Sequence, residues 1–220
     1  MPSAEPLPLV VLISGRGSNL QAILDAIAAG ELPARVAAVI SDQPGAAGLA
    51  RARRAGVPAE VVAERGHGSR ADYDRALMAR IDRYRPGLVV LAGFMRILGP
   101  EFVRHYRHRL MNIHPSLLPA FRGLNTHARA LAAGVREHGA SVHFVTEDLD
   151  AGPVICQARV PVLPGDDADT LAARVLAQEH RLYPRAIRWF AEGRLSVEGG
   201  RVLLDGARRP EQGLAEDAGG

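Results

Sequence analysis

Leu7-Pro8-Leu9-Val10-Val11-Leu12-Ile13-Ser14-Gly15-Arg16-Gly17-Ser18-Asn19-Leu20 is the stretch that decides the architecture of this 220-residue chain. Its aliphatic run has no polar alternation, so it reads as a strand buried on both faces. Gly15 and Gly17 permit a tight turn. From Asn19 to Ala29 the apolar residues Leu20, Ile23, Leu24 and Ile27 recur at helical spacing, and Gly30 closes the segment. A buried strand feeding a helix through a glycine turn opens a parallel sheet, because parallel neighbours need a crossover connection.

The same rhythm continues outward from that stretch. Arg35–Ile40 reads as a strand, Ala46–Ala55 as a helix closed by Gly56, and Ala59–Val62 as a short strand. Ser69–Tyr84 reads as a helix with Ser69 as its N-cap, and Leu88–Ala92 and Leu110–Ile113 as further buried strands. The expected fold is α/β: an open, mostly parallel, doubly wound sheet of Rossmann-like type with right-handed crossovers. Beyond Ile113 the pattern changes. Thr126–Ala133 reads as a helix, and Ser141–Val145 and Pro153–Val162 as antiparallel strands around a turn at Asp150–Pro153. Thr170–Glu192 reads as a long C-terminal helix with a kink expected at Pro184, followed by a hairpin of Leu195–Val197 and Val202–Leu204. No repeat or long linker interrupts the chain, so a single domain is expected over about residues 7–205, with 1–6 and 206–220 loose.

Composition narrows the function classes. With 47% hydrophobic and 23% charged residues the chain can bury one sizeable core. The net charge is +3, and all 27 basic residues are arginine. The absence of lysine excludes a Schiff-base lysine and a Walker-type phosphate lysine, so any phosphate must be held by backbone N–H groups, hydroxyls or arginine. No basic block is interleaved with aromatics, and nucleic-acid binding is not expected. The lone Cys156 lies among apolar residues and reads as a small buried hydrophobe. His105 and His108 lack the acid or thiol that would complete a metal site, so no metal is expected. No signal pattern or membrane-length apolar run is present, and a cytoplasmic protein is expected, as monomer or homodimer.

Three groups carry candidate chemistry. The Ser14–Asn19 turn ahead of a helix can be a plain connection, a phosphate cradle or a weak dinucleotide site; Leu20 stands where the dinucleotide pattern wants glycine, although Asp42 follows the second strand. Asn112 and His114 alternate on one strand, so both project to one face, roughly 6.5 Å apart along the chain. An amide beside an imidazole at a strand's carboxyl end can stabilise a developing oxyanion and move a proton, and such a histidine can equally be a capping or core residue. Asp150 can be turn chemistry, or the carboxylate that holds His114 charged.

Four segments, Ser14-Gly15-Arg16-Gly17-Ser18-Asn19-Leu20-Gln21, Leu91-Ala92-Gly93-Phe94-Met95-Arg96-Ile97-Leu98, Asn112-Ile113-His114-Pro115-Ser116-Leu117-Leu118-Pro119, and His143-Phe144-Val145 with Leu149-Asp150-Ala151-Gly152-Pro153, occur in this order. Together they resemble the folate-dependent phosphoribosylglycinamide formyltransferase family over roughly residues 7–205. The resemblance implies a cytoplasmic purine-biosynthesis enzyme with 10-formyltetrahydrofolate as formyl-donor cosubstrate, small-molecule partners and no metal. It implies Asn112, His114 and Asp150 as catalytic residues, and Gly17, Ser18, Asn19, Leu20, Gln21 and Glu179 as substrate contacts. For the folate it implies Arg70, Met95, Arg96, Ile97, Leu98, Asn112, Thr146, Glu147, Asp148, Leu149 and Asp150. The chain departs from the family where Ala120-Phe121 replaces a pair that is often basic or aromatic, and where Asn125 replaces a histidine. Formylfolate hydrolases would apply the same trio to water, transfer-RNA formyltransferases would carry a further C-terminal domain, and a non-catalytic nucleotide module would leave the trio unexplained.

Overall fold

The computed structural model describes residues 5–207. The ends expected to be loose, 1–6 and 206–220, lie outside the described residues except for positions 5, 6, 206 and 207. The strands β1 (Leu7–Ile13), β2 (Ala34–Ser41), β3 (Ala59–Val61), β4 (Leu88–Leu91), β5 (Leu110–His114), β6 (Glu137–Phe144) and β7 (Val154–Pro161) form one hydrogen-bonded sheet in the order β3-β2-β1-β4-β5-β6-β7. The helices are α1 (Ser18–Ala28), α2 (Ala47–Arg54), α3 (Arg70–Asp82), α4 (Pro100–His105), α5 (Thr126–Ala132) and α6 (Ala168–Ala191), and a hairpin of β8 (Leu195–Glu198) and β9 (Arg201–Leu204) follows. The chain divides into two compact units between Met111 and Asn112, inside β5.

In the first unit, β1 pairs in parallel with β2 and β4, and β2 with β3. Leu9 through Ile13 are fully buried, as their unbroken apolar run requires, each contributing about 1.5–3 kcal/mol of transfer free energy. The chain winds outward from β1 through β2 to β3 and then restarts at β4 on the other side of β1. The strand order reverses there, and ligands of open α/β sheets bind outside the carboxyl ends of the strands at such a point. The helix α3 is capped as expected: the Ser69 hydroxyl oxygen accepts from Asp72 N–H at 3.1 Å.

The Arg-rich stretch around His105 contains α4, and Phe102, Val103 and the following Tyr106 are buried. The Tyr106 hydroxyl donates to Asp82 Oδ1 at 2.8 Å, and His105 Nε2 lies 2.8 Å from Asp82 Oδ2. His108 sits past the helix end in the left-handed region, at φ 60°, so the two histidines are not neighbours on one helical face.

In the second unit β6 and β7 pair antiparallel, with a register shift between Val142 and His143. The strand β6 starts at Glu137, earlier than the expected Ser141, because His138 and Gly139 are buried and paired with Val160 and Arg159. Cys156 on β7 is buried, and burial pushes its thiol up to about 12. The helix α6 opens with a reciprocal capping box between Asp167 and Thr170 and continues through Pro184 as one helix. Leu171, Val175, Leu182, Tyr183, Ala186 and Ile187 form its buried side. Among the described residues no helix is long and apolar enough to cross a membrane.

Candidate active site

The glycine turn after β1 leads directly into α1. Gly17 is the N-cap of that helix, at φ 71°, and the first intrahelical bond runs from Gln21 N–H to the Gly17 carbonyl at 2.9 Å. Gly17 has no side chain with which to cap the N–H groups ahead of that bond, and the first turn holds no acidic residue. These donors lie at the positive end of the helix dipole, the arrangement that favours an anion. The turn is backed by α2: a Cβ on Gly17 would lie 2.7 Å from Gly48 Cα, so both positions require glycine for this approach. Gly48 N–H donates to the Gly15 carbonyl at 3.0 Å. Arg51 Nε donates to the Arg16 carbonyl at 2.8 Å and Arg51 Nη1 to Gln21 Oε1 at 3.3 Å.

Of the residues expected to meet substrate here, Leu20 is wholly buried and offers only its backbone. Asn19 is 8% exposed, and the Gln21 amide is engaged by Asp25 as well as by Arg51. Asp42 does not present a carboxylate suited to a ribose. Its Oδ1 accepts from the Ser14 hydroxyl at 2.6 Å and its Oδ2 from Gln43 Nε2 at 3.0 Å. The dinucleotide alternative loses its acidic residue to this network.

Ser14 also reaches the segment after β4. Its N–H donates to the Gly93 carbonyl at 3.1 Å, and its hydroxyl oxygen accepts from Met95 N–H at 2.8 Å. Met95 and Ile97 are 68% and 62% exposed, whereas Leu98 is buried. Exposed aliphatic side chains beside a backbone fixed at both ends suit a flat, partly apolar ligand. The Arg96 guanidinium forms two bonds to the Glu64 carboxylate and lies 4.8 Å from the centre of the Tyr73 ring. Asp74, buried on α3, accepts from Gly99 N–H at 2.7 Å, and burial raises its pKa. Arg70 is exposed at the start of α3.

The catalytic candidates all fall in the second unit, and there they converge. His114 Nδ1 lies 3.4 Å from Asp150 Oδ2. His114 Nε2 is 3.0 Å from the Phe121 carbonyl, which can only accept, so this nitrogen carries a proton. Asp150 Oδ2 also accepts from Gly123 N–H at 3.0 Å. Asp150 itself is in the left-handed region at φ 48°, a conformation Asp tolerates better than most residues. The turn that aims it depends on Gly152, where a Cβ would stand 1.7 Å from the Phe144 carbonyl oxygen.

A fourth member, His143, completes the cluster. The sequence pattern includes it only as part of a segment, not as a site residue. Its Nδ1 donates to the Phe144 carbonyl at 3.0 Å, and burial lowers its pKa, so it is neutral with a lone pair on Nε2. That lone pair accepts from Asn112 Nδ2 at 3.4 Å, and Asp150 Oδ1 lies 3.8 Å away. Contacts therefore run from Asn112 to His143, Asp150 and His114. Behind them the Ser141 hydroxyl donates to the Ser116 carbonyl at 2.6 Å and accepts from Leu118 N–H at 3.0 Å and Gln157 Nε2 at 2.9 Å. Gln157 Nε2 also donates to the Leu118 carbonyl at 2.8 Å, so a buried polar knot pins the chain that leaves His114. Thr146, Glu147, Asp148 and Leu149 are exposed ahead of Asp150, and Glu179 is 8% exposed within α6. Asn125 takes the N-cap of α5 at φ 54°, a left-handed position asparagine accepts readily. Among the described residues no group of His, Cys, Asp and Glu could hold a metal ion.

An anion-ready helix start and a closed amide–imidazole–carboxylate cluster are parts suited to group transfer. The profile of the formyl transferase family matches residues 7–187, and the chain belongs to that family. Its relatives include the phosphoribosylglycinamide formyltransferase of Escherichia coli (strain K12), 56% identical over 95% of this chain and 99% of that protein. Among solved structures, the phosphoribosylglycinamide formyltransferase of Coxiella burnetii superposes with a TM-score of 0.91 at 55% identity, covering 96% of this chain and 99% of that one. Glycinamide ribonucleotide transformylase 1 of Symbiobacterium toebii gives 0.90 at 51% identity, covering 92% and 95%.

Proposed function

We propose that this protein transfers the formyl group of 10-formyltetrahydrofolate to the primary amine of 5′-phosphoribosylglycinamide, in purine biosynthesis in the cytoplasm. Residues 7–205 act as one functional formyltransferase domain, in keeping with a family match that runs through both units. The observation that carries the reading is the Asn112–His143–Asp150–His114 cluster. His114 gives its Nε2–H to the Phe121 carbonyl and turns Nδ1 toward the Asp150 carboxylate. Its Nε2–H, given to Phe121 here, is the donor that an oxygen gaining negative charge on the formyl group takes over. Asn112 spends one Nδ2 proton on His143 and keeps the other for the same oxygen. Asp150 orients the His114 ring and takes the proton that the attacking amine loses, directly or through a water; that proton passes to N10 of the folate as the bond between N10 and the formyl carbon breaks.

The remaining contacts follow the family resemblance. Gly17, Ser18, Asn19 and the Leu20 backbone hold the ribotide phosphate, with Gln21 at the edge of the turn and Glu179 contacting the ribotide. For the folate the resemblance gives Arg70, Met95, Arg96, Ile97, Leu98, Asn112 and Thr146–Asp150.

The test is to mix protein, 10-formyltetrahydrofolate and glycinamide ribotide and follow deformylated folate. Release that requires the ribotide is expected, and His114→Ala should slow it about 10²–10³-fold while leaving the fold intact. Release without ribotide would mean a hydrolase instead. Wild-type turnover in His114→Ala would remove His114 from the mechanism.

A further inference from the structure

We propose that Arg51, on α2, is a positioning residue of the phosphate turn and adds a positive charge behind it, tuning the turn to a phosphomonoester dianion. The proposal rests on the ribotide reading above and adds to it a residue that none of the four sequence segments contains.

Geometry carries the argument. The Gly15 carbonyl accepts from Gly48 N–H at 3.0 Å and the Arg16 carbonyl from Arg51 Nε at 2.8 Å, so both point toward α2. In a trans peptide the C=O and the following N–H point in opposite directions. The N–H groups of Arg16 and Gly17 are thereby turned away from α2. Arg51 Nη1 donates at the same time to Gln21 Oε1, so one guanidinium spans the turn from Arg16 to the first turn of α1. The fork of a guanidinium makes this bridge, and a lysine ammonium does not reproduce it. The close approach of Gly17 and Gly48 brings α2 near enough, because Arg51 lies three residues after Gly48 on the same helical side.

Charge points the same way. Both acceptors of Arg51 are neutral oxygens, a carbonyl and an amide, so its unit charge is not cancelled by them. The chain has no lysine to serve this purpose. A dianion gains more from a neighbouring cation than a monoanion does, so Arg51 discriminates by charge as well as by holding the peptide planes.

The experiment compares kcat/KM for glycinamide ribotide and for its dephosphorylated riboside in wild type, Arg51→Met and Arg51→Lys. The ratio of the two values within one variant cancels any difference in folded fraction. Arg51→Met should reduce that ratio about 10- to 100-fold, mostly through KM of the ribotide, with Arg51→Lys in between. Wild-type ribotide binding should tighten as pH rises through the second phosphate ionisation near about 6, and Arg51→Met should blunt this rise. An unchanged ratio in Arg51→Met, or equal losses on both substrates, would overturn the role of Arg51. A wild type with no preference for the phosphorylated substrate would instead overturn the ribotide reading and the proposal with it.

Discussion

Acidification should unload stability from one buried histidine. His138 on β6 is 1% exposed, packed edge-on against His127 and Phe121 at ring-centre distances of 5.2 and 5.9 Å. Burial, aided by the neighbouring His127 and His114, pushes its pKa down to about 4. An unfolded histidine titrates near about 6.5, so between these values the unfolded chain binds the extra proton. Stability from this group is complete above about pH 6.5 and falls as pH drops toward 4. Between pH 8 and pH 5 the loss is about 2 kcal/mol, or about 4–8 °C in Tm for a chain of this size. His127 and His143 are lowered by burial too and add loss in the same direction. The contribution of His138 is therefore isolated by comparing wild type with His138→Leu, recording thermal unfolding at pH 8 and pH 5. The drop in Tm across that interval should be smaller in the variant by about 4–8 °C. Equal drops in both proteins would refute the assignment of a depressed pKa to His138.

Three substitutions probe the scaffold of the site. Ser14→Ala removes the acceptor of Met95 N–H and the donor to Asp42, and should raise KM for 10-formyltetrahydrofolate about 2- to 10-fold in steady-state assays. Gly152→Ala sets a methyl group against the Phe144 carbonyl; urea titration should show a loss of about 1–3 kcal/mol, with activity falling further because Asp150 is displaced. Ser141→Ala orphans Leu118 N–H and the Ser116 carbonyl, and should cost about 1–3 kcal/mol for each group left without a partner, read from the denaturation midpoint.

What the residues disclose ahead of any coordinates follows from how each element is stabilised. The strand β1 is legible because burial on both faces writes itself as an unbroken aliphatic run, and α3 because Ser69 caps it. The helix α4 is not, since its buried Phe102 and Val103, with Tyr106 just after it, are few and lie among charged neighbours, and Asp82, far away in sequence, receives Tyr106 and His105. Asn112 and His114 share a face by strand alternation, which a sequence displays directly. That Asp150 reaches His114 depends on a left-handed residue and on the absence of a side chain at Gly152, and only the order of family segments points to it. His143 stays hidden because its value lies in a tautomer fixed by the Phe144 carbonyl and in a lone pair offered to Asn112. Arg51 stays hidden for a similar reason, since its acceptors are backbone and amide oxygens rather than a charged partner recognisable from composition.

The solitary thiol on β7 gives this molecule an internal stopwatch. Sealed in the sheet and held protonated, Cys156 is invisible to a thiol-specific dye while β7 stays paired with β6. Dye uptake at neutral pH then counts openings of that strand pair, with no second sulfhydryl to confuse the trace and no label to introduce.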